Sequence, residues 1–115
     1  MKMKAVNNTS GKVLAEVLIL ADTLLARMRG LLGKNALVSG EGLWIKPCKG
    51  VHTFGMRFPI DVLFLDRQLR VIAVSKSMPP NRLTRIHFKA ASVLELPSGT
   101  AELTATVTGD MISIK

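Results

Sequence analysis

One stretch of the 115-residue chain gathers most of the side chains able to do chemistry: PCKGVHTFGMRFPIDVLFLD, Pro47 to Asp66. It holds Cys48, the only cysteine, and His52, one of two histidines, four residues apart. A cysteine acts as a nucleophile through its thiolate, which a neighbouring imidazole or cation favours. Lys46 and Lys49 flank Cys48 and act in that direction. Four-residue spacing joins two side chains on a helix, but Pro47 and Gly50 oppose a helix here. In an extended strand the pair would stand about 13 Å apart on one face. Only a turn at Lys49-Gly50 brings them together. The plainer role is a small buried cysteine and a histidine satisfied by a backbone carbonyl.

Three further readings compete for the same stretch. Cys48, His52 and His87 can supply three zinc ligands, with Asp61 or Asp66 as a fourth. No CxxC or HExxH spacing is present and His87 lies far along the chain, so no cofactor is expected and zinc is the one candidate metal. Asp61 interrupts the apolar run Pro59-Ile-Asp-Val-Leu-Phe-Leu65, where a carboxylate is costly unless partnered. Arg57, Arg29 or Arg27 can provide a bidentate partner and fix strand against helix. The sharper alternative sets Asp61 beside Glu95 as two acids for general acid–base work. The candidate catalytic set is therefore Cys48, His52 and Asp61. A pocket bordered by residues 47–61 is expected to be lined by Trp44, His52, Phe54, Met56, Arg57, Asp61 and Glu95.

Composition limits the function classes. The length suits a single domain, residues 1–115, and 48% hydrophobic residues suit a globular core rather than disorder. Sixteen Lys and Arg against eight Asp and Glu give a net charge of +8, which favours an acidic partner. The cations are dispersed and tyrosine is absent, so a nucleic-acid-binding module ranks behind a protein or peptide partner. One cysteine cannot form an internal disulfide, which points to a reducing, cytoplasmic setting. The N-terminal MKMK resembles a signal peptide only superficially. Asn7 to Lys12 and Glu16 break the pattern, and Val17 to Ala21 is far shorter than the about 20 residues that span a bilayer. No membrane span is expected.

The elements that must position these residues are mainly strands. Lys12 to Leu20, Leu43 to Ile45, Ile60 to Leu65, Arg70 to Ser75, Ser92 to Leu96 and Met111 to Ile114 read as strands, with His52 to Met56 a further candidate. Asp66 to Leu69 reads as the turn of a hairpin. Residues 101–108 fit either a helical turn or a strand. One helix is expected over about 22–33, N-capped by Asp22 and ended by Gly33, with Leu24, Leu25, Met28, Leu31 and Leu32 packed on the core. Trp44, Phe54, Phe58, Phe64 and Phe88 are expected to fill that core. Asp22, Arg29, Gly30, Pro59, Gly99, Gly109 and Asp110 are assigned to structure, as caps, strand edges and turns. The fold class is mainly β (α+β): a small barrel-like or sandwich domain of six to seven short strands with one packed α-helix.

The segments Arg29-Gly-Leu-Leu-Gly33, EGLWI, HTFGMRFPIDVLFLD, Val93 to Thr100 and Gly109-Asp110 occur in an order and spacing that resemble the family called domain of unknown function 192. The resemblance covers most of the chain and implies a small, mostly β, barrel-like domain with a packed helix. One branch of the family carries a Trp-Met-Lys-Asn-Thr type segment in place of His52-Thr-Phe-Gly-Met56, so Cys48 and His52 belong to a shorter His-Thr-Phe branch. Gly55 stands where a Phe is usual, and the export signal with which many relatives begin is not expected here. The family has no established activity to carry over. The gene surroundings of shorter relatives imply a link to pilus or secretion components. Together these readings favour a non-enzymatic binding or accessory module with a basic surface. The alternatives are a hydrolase, transferase or metal-binding protein centred on Cys48, His52 and Asp61, and a nucleic-acid-binding module.

Overall fold

The computed structural model describes residues 2–115. Seven strands form one sheet: β1 (Lys2–Asn7), β2 (Lys12–Ala21), β3 (Glu41–Ile45), β4 (Ile60–Leu65), β5 (Val71–Met78), β6 (Ser92–Pro97) and β7 (Ile112–Ile114). Two short helices interrupt them, α1 (Leu24–Arg29) and α2 (Thr100–Leu103). The order across the sheet is β5-β4-β6-β3-β2-β1-β7. The mainly β class and the strand number agree with the sequence reading. β1 was not anticipated; exposed Lys4 stands between inward Met3 and Ala5, a pattern obscured by its resemblance to a charged leader.

Neighbouring strands run antiparallel except β2 and β3. A parallel pair needs a crossover of about a dozen residues or more, and residues 22–40, carrying α1, provide it. Leu14, Leu18, Leu63, Leu65, Val71, Leu94, Leu96 and Ile112 belong to one buried cluster. These residues come from strands at opposite ends of the sheet order, so the sheet must curl around them. At one end the two edges meet, where a bridge joins Arg70 to Met111. Gly42 allows the curl: a Cβ there would sit 2.9 Å from Leu96 and 3.1 Å from Leu18. The outer face of β3, β6 and β4 carries a second cluster, with Leu43, Ile45, Val62, Phe64 and Val93 under Leu31, Val51, Met56 and Ala90. Its cover is irregular chain, residues 46–59 and 79–91.

Several expected details are corrected. α1 starts after Thr23, whose hydroxyl accepts from the Ala26 amide at 3.0 Å, so Thr23 and not Asp22 is the N-cap. It ends at Gly30 (φ 50°), not Gly33. That early stop takes Leu31 and Leu32 out of the helix. Leu31 enters the core, while Leu24, Leu25 and Met28 stay exposed and the helix buries none of its residues. His52 to Met56 is no strand; only His52 forms a bridge, with Leu83. Residues 100–103 are helix and the rest of 101–108 is turn and irregular chain, not strand. Phe64 is buried and Phe58 half-buried, but Phe54 and Phe88 are exposed.

Gly99 (φ 95°) precedes α2 and Gly109 (φ 100°) turns the chain toward β7, both in the left-handed region that glycine favours. Asp110 is buried, its Oδ2 accepting from Asn7 Nδ2 (2.9 Å) and the Val107 amide (3.0 Å). Pro59 stands exposed immediately before β4, and Arg29 is the last, exposed residue of α1. Among the described residues no helix is long and apolar enough to cross a membrane.

Candidate functional site

The pleat of the sheet decides which chemical groups can meet. Asp61 pairs with Leu96, and Val62 pairs with Glu95, across the antiparallel β4–β6 ladder. Directly paired residues share a face and adjacent residues take opposite faces, so Asp61 looks into the curled interior and Glu95 outward. The expected acid pair is excluded by this register. Nor does Asp61 have an arginine partner: Oδ1 accepts from the Ser77 amide and Oδ2 from the Ala101 amide, each at 2.8 Å. It ties β4 to a distortion in β5 (Ser77 has φ 50°) and to the start of α2. Trp44 pairs with Leu94 and so also lies on the inner face, with Lys46 Nζ 4.2 Å from its ring centroid.

Glu95 stands on the outer face between Leu43 and Val62, its cross-strand neighbours, and is 3% exposed. Nothing offsets its burial, which pushes the carboxyl up to about 7. It forms one wall of a cavity of about 350 Å³. The opposite walls are Leu24, Arg27 and Met28 of α1, Leu31 beyond it, and the segment from Pro47 to Met56. Arg27 donates through one terminal nitrogen to the Pro47 carbonyl at 3.0 Å, while its buried Nε has no partner. The cavity thus combines an apolar wall with a carboxyl that makes no hydrogen bond and a guanidinium that is only partly paired. A second cavity of about 400 Å³, on the sheet side of residues Val17 to Ala21 and Leu37, is larger but has no comparable buried polar group.

Cys48 and His52 both line the smaller cavity. They are not joined by a hydrogen bond. Cys48 Sγ bonds the Gly50 carbonyl (3.2 Å), and His52 Nδ1 accepts from the Phe54 amide (3.3 Å). Burial pushes the Cys48 thiol up, aided by Glu95 and opposed by the Gly50 backbone and Arg27. That direction is wrong for a thiolate nucleophile. Lys49, expected to activate Cys48, instead donates to the carbonyls of Phe88 (2.8 Å) and Ala90 (2.7 Å).

His87 packs its ring against Phe64, with centroids 4.2 Å apart. Among the described residues no three His, Cys, Asp or Glu side chains converge, so Cys48, His52 and His87 do not form the expected ligand set. Met56 lines the cavity; Phe54 stacks on His52 at the surface; Arg57 bonds Asn35 Oδ1. Arg27 and α1 were missed as site elements. The signal was present, since Leu24, Arg27 and Leu31 fall at spacings of three and four.

Comparison with known proteins bears on the same architecture. The model of the DUF192 family, described as an uncharacterised conserved group, matches residues 5–114. The chain belongs to the DUF192 family. A UPF0127 protein of Thermococcus kodakarensis is 34% identical over 114 residues, 94% of this chain and 71% of the relative. A crystal structure of a protein of unknown function from Novosphingobium aromaticivorans superposes with a TM-score of 0.84 at 22% identity, covering 98% of this chain and 84% of the other. One from Sinorhizobium meliloti, named a candidate transcription regulator, gives 0.81 at 18% identity, covering 97% and 91%. At these identities the two structures share the fold of this DUF192 chain. The function of the family remains uncharacterised, so the chemistry of the cavity is the guide to its role.

Proposed function

We propose that this DUF192 protein is a binding module whose outer-face cavity receives an apolar peptide segment of a protein partner. The observation that carries the reading is the buried, unpartnered Glu95 in a cavity that the Arg27 side chain also lines. Unpaired buried polar groups cost stability, and a peptide unit supplies the missing partners: its N–H for the Glu95 carboxyl, its C=O for Arg27. Leu24, Met28, Val51 and Met56 supply the apolar contact for the adjoining side chain. A basic protein of this kind suits an accessory role, and the link to pilus or secretion components belongs to the same proposal.

The geometry gives no support to a hydrolase or transferase, because Asp61 lies through the sheet from Cys48 and the thiol is pushed up. The test is an NMR titration with N-acetyl-leucyl-leucine amide. Shifts confined to residues 24–32, 45–56 and 95 are expected, with affinity falling about tenfold in Glu95→Leu and in Arg27→Leu, as loss of one hydrogen bond implies. Shifts that are absent at millimolar peptide, or indifferent to both substitutions, would discard the reading.

A further inference from the structure

The irregular cover of the outer face has a surface of its own. Residues 49–53 and 81–87 run as an antiparallel ribbon, held by Thr53 N to Arg82 O (2.8 Å), Thr84 N to Val51 O (2.9 Å) and His87 N to Lys49 O (2.8 Å). The side chains of Val51 and Thr53 turn inward and are buried. His52 and Leu83, paired in a bridge, point outward together, and Phe54 stacks on His52 with centroids 5.4 Å apart. Further along, Ile86 lies against Gly50, where a Cβ would come within 2.7 Å of its Cδ1. The result is a braced ribbon whose large apolar side chains face solvent, Leu83 at 71% and Ile86 at 54% exposure, with Phe88 just beyond its end at 81%.

Each of these three has a cation beside it in sequence: Arg82-Leu83, Arg85-Ile86, Phe88-Lys89, all exposed. No acidic residue occurs between Asp66 and Glu95, nor between Glu41 and Asp61, so both strands of the ribbon are free of negative charge. We infer that this ribbon is a docking surface for an anionic lipid bilayer. Leucine, isoleucine and phenylalanine tips enter the boundary between headgroups and acyl chains, while adjacent Arg and Lys reach the lipid phosphates. A nucleic-acid backbone would engage the cations and leave Leu83 and Ile86 without contact. A protein partner would need acids matched to three cations that each adjoin an exposed apolar side chain in sequence. The bilayer satisfies both halves of the pattern at once. The attachment is peripheral and independent of the Glu95 cavity.

Co-sedimentation of the full chain with vesicles tests this directly. Vesicles of equimolar phosphatidylglycerol and phosphatidylcholine should pellet the protein at low salt, and phosphatidylcholine alone should not. The double variant Leu83→Ser, Phe88→Ser, with its charges intact, should bind about tenfold more weakly. The triple variant Arg82→Gln, Arg85→Gln, Lys89→Gln should lose about a hundredfold. Leu103→Ser, an exposed leucine on α2, should bind like the parent. All these side chains are solvent-exposed, so unchanged melting temperatures should accompany the losses. Absent pelleting overturns the inference. So does pelleting indifferent to the serine variant, which would mark nonspecific adsorption of a basic protein, or preferential capture by duplex DNA in competition.

Discussion

Asp61 and Glu95 are both buried acids on adjacent strands, at 0% and 3% exposure, yet they sit in opposite situations. Asp61, inside the curl, accepts one backbone amide with each oxygen and so joins three elements. Glu95, beneath the irregular outer cover, is paired with nothing and titrates near neutrality. A buried acid whose oxygens are occupied by backbone amides is part of the frame. One left open in a cavity lowers stability and is available to a ligand. Burial alone does not distinguish the two; the hydrogen-bond partners do.

The contrast can be broken most severely at Asp61. Asp61→Ala should destabilise the protein by about 4 kcal/mol, since two hydrogen bonds to a carboxylate are lost and amides are left unpaired. Urea unfolding would read that loss directly. Glu95→Gln should act in the opposite sense and depend on pH. With a folded pKa of about 7 against an ordinary 4.5, the folded state binds more protons between those values, so Glu95 makes stability fall as pH rises through that window. The substitution should therefore cost about 1 kcal/mol below pH 4.5, where only the penalty of burying an amide in place of a neutral carboxyl is left. At pH 8 it should stabilise by about 2 kcal/mol, the ionisation penalty less the cost of a buried amide. A pH series of melting curves on both proteins would show the difference; a pH-independent effect would mean that Glu95 is not isolated as described.

Smaller effects sharpen the view of the cavity. Glu95 raises the Cys48 thiol and Arg27 lowers it. Iodoacetamide should accordingly modify Cys48 a few-fold faster in Glu95→Gln and a few-fold more slowly in Arg27→Gln at pH 7.5, read by mass spectrometry. The smallest change concerns the wall formed by α1. Thr23→Ala removes the cap bond to Ala26 and should cost about 0.5 kcal/mol. Because the helix buries none of its residues, the loss should appear as faster amide exchange over residues 26–30 more than as a lower melting temperature.

The strands around the inner core are written in local sequence. Ile60 to Leu65, Ser92 to Leu96 and the hairpin turn at Asp66 are legible because local periodicity and turn chemistry are one-dimensional signals. Asp66 makes that turn as its residue type predicts, accepting from Gln68 and Arg70. Apolar spacing also identified the α1 region, yet it could not show that Gly30 ends the helix or that Leu31, rather than Leu24 or Met28, enters the core.

The face on which each acid falls is set by long-range contacts instead. A one-residue slip of β4 against β6 would pair Asp61 directly with Glu95 on one face, and because both strands are buried on both faces their apolar pattern does not fix that register. The partners of Asp61 come from Ser77 and Ala101, and Arg27 and Cys48 reach one cavity with Glu95 only through the crossover and the loop cover. Pairing of buried polar groups is set by contacts distant in sequence, which is why the same residue type became frame in one place and a candidate site in the other.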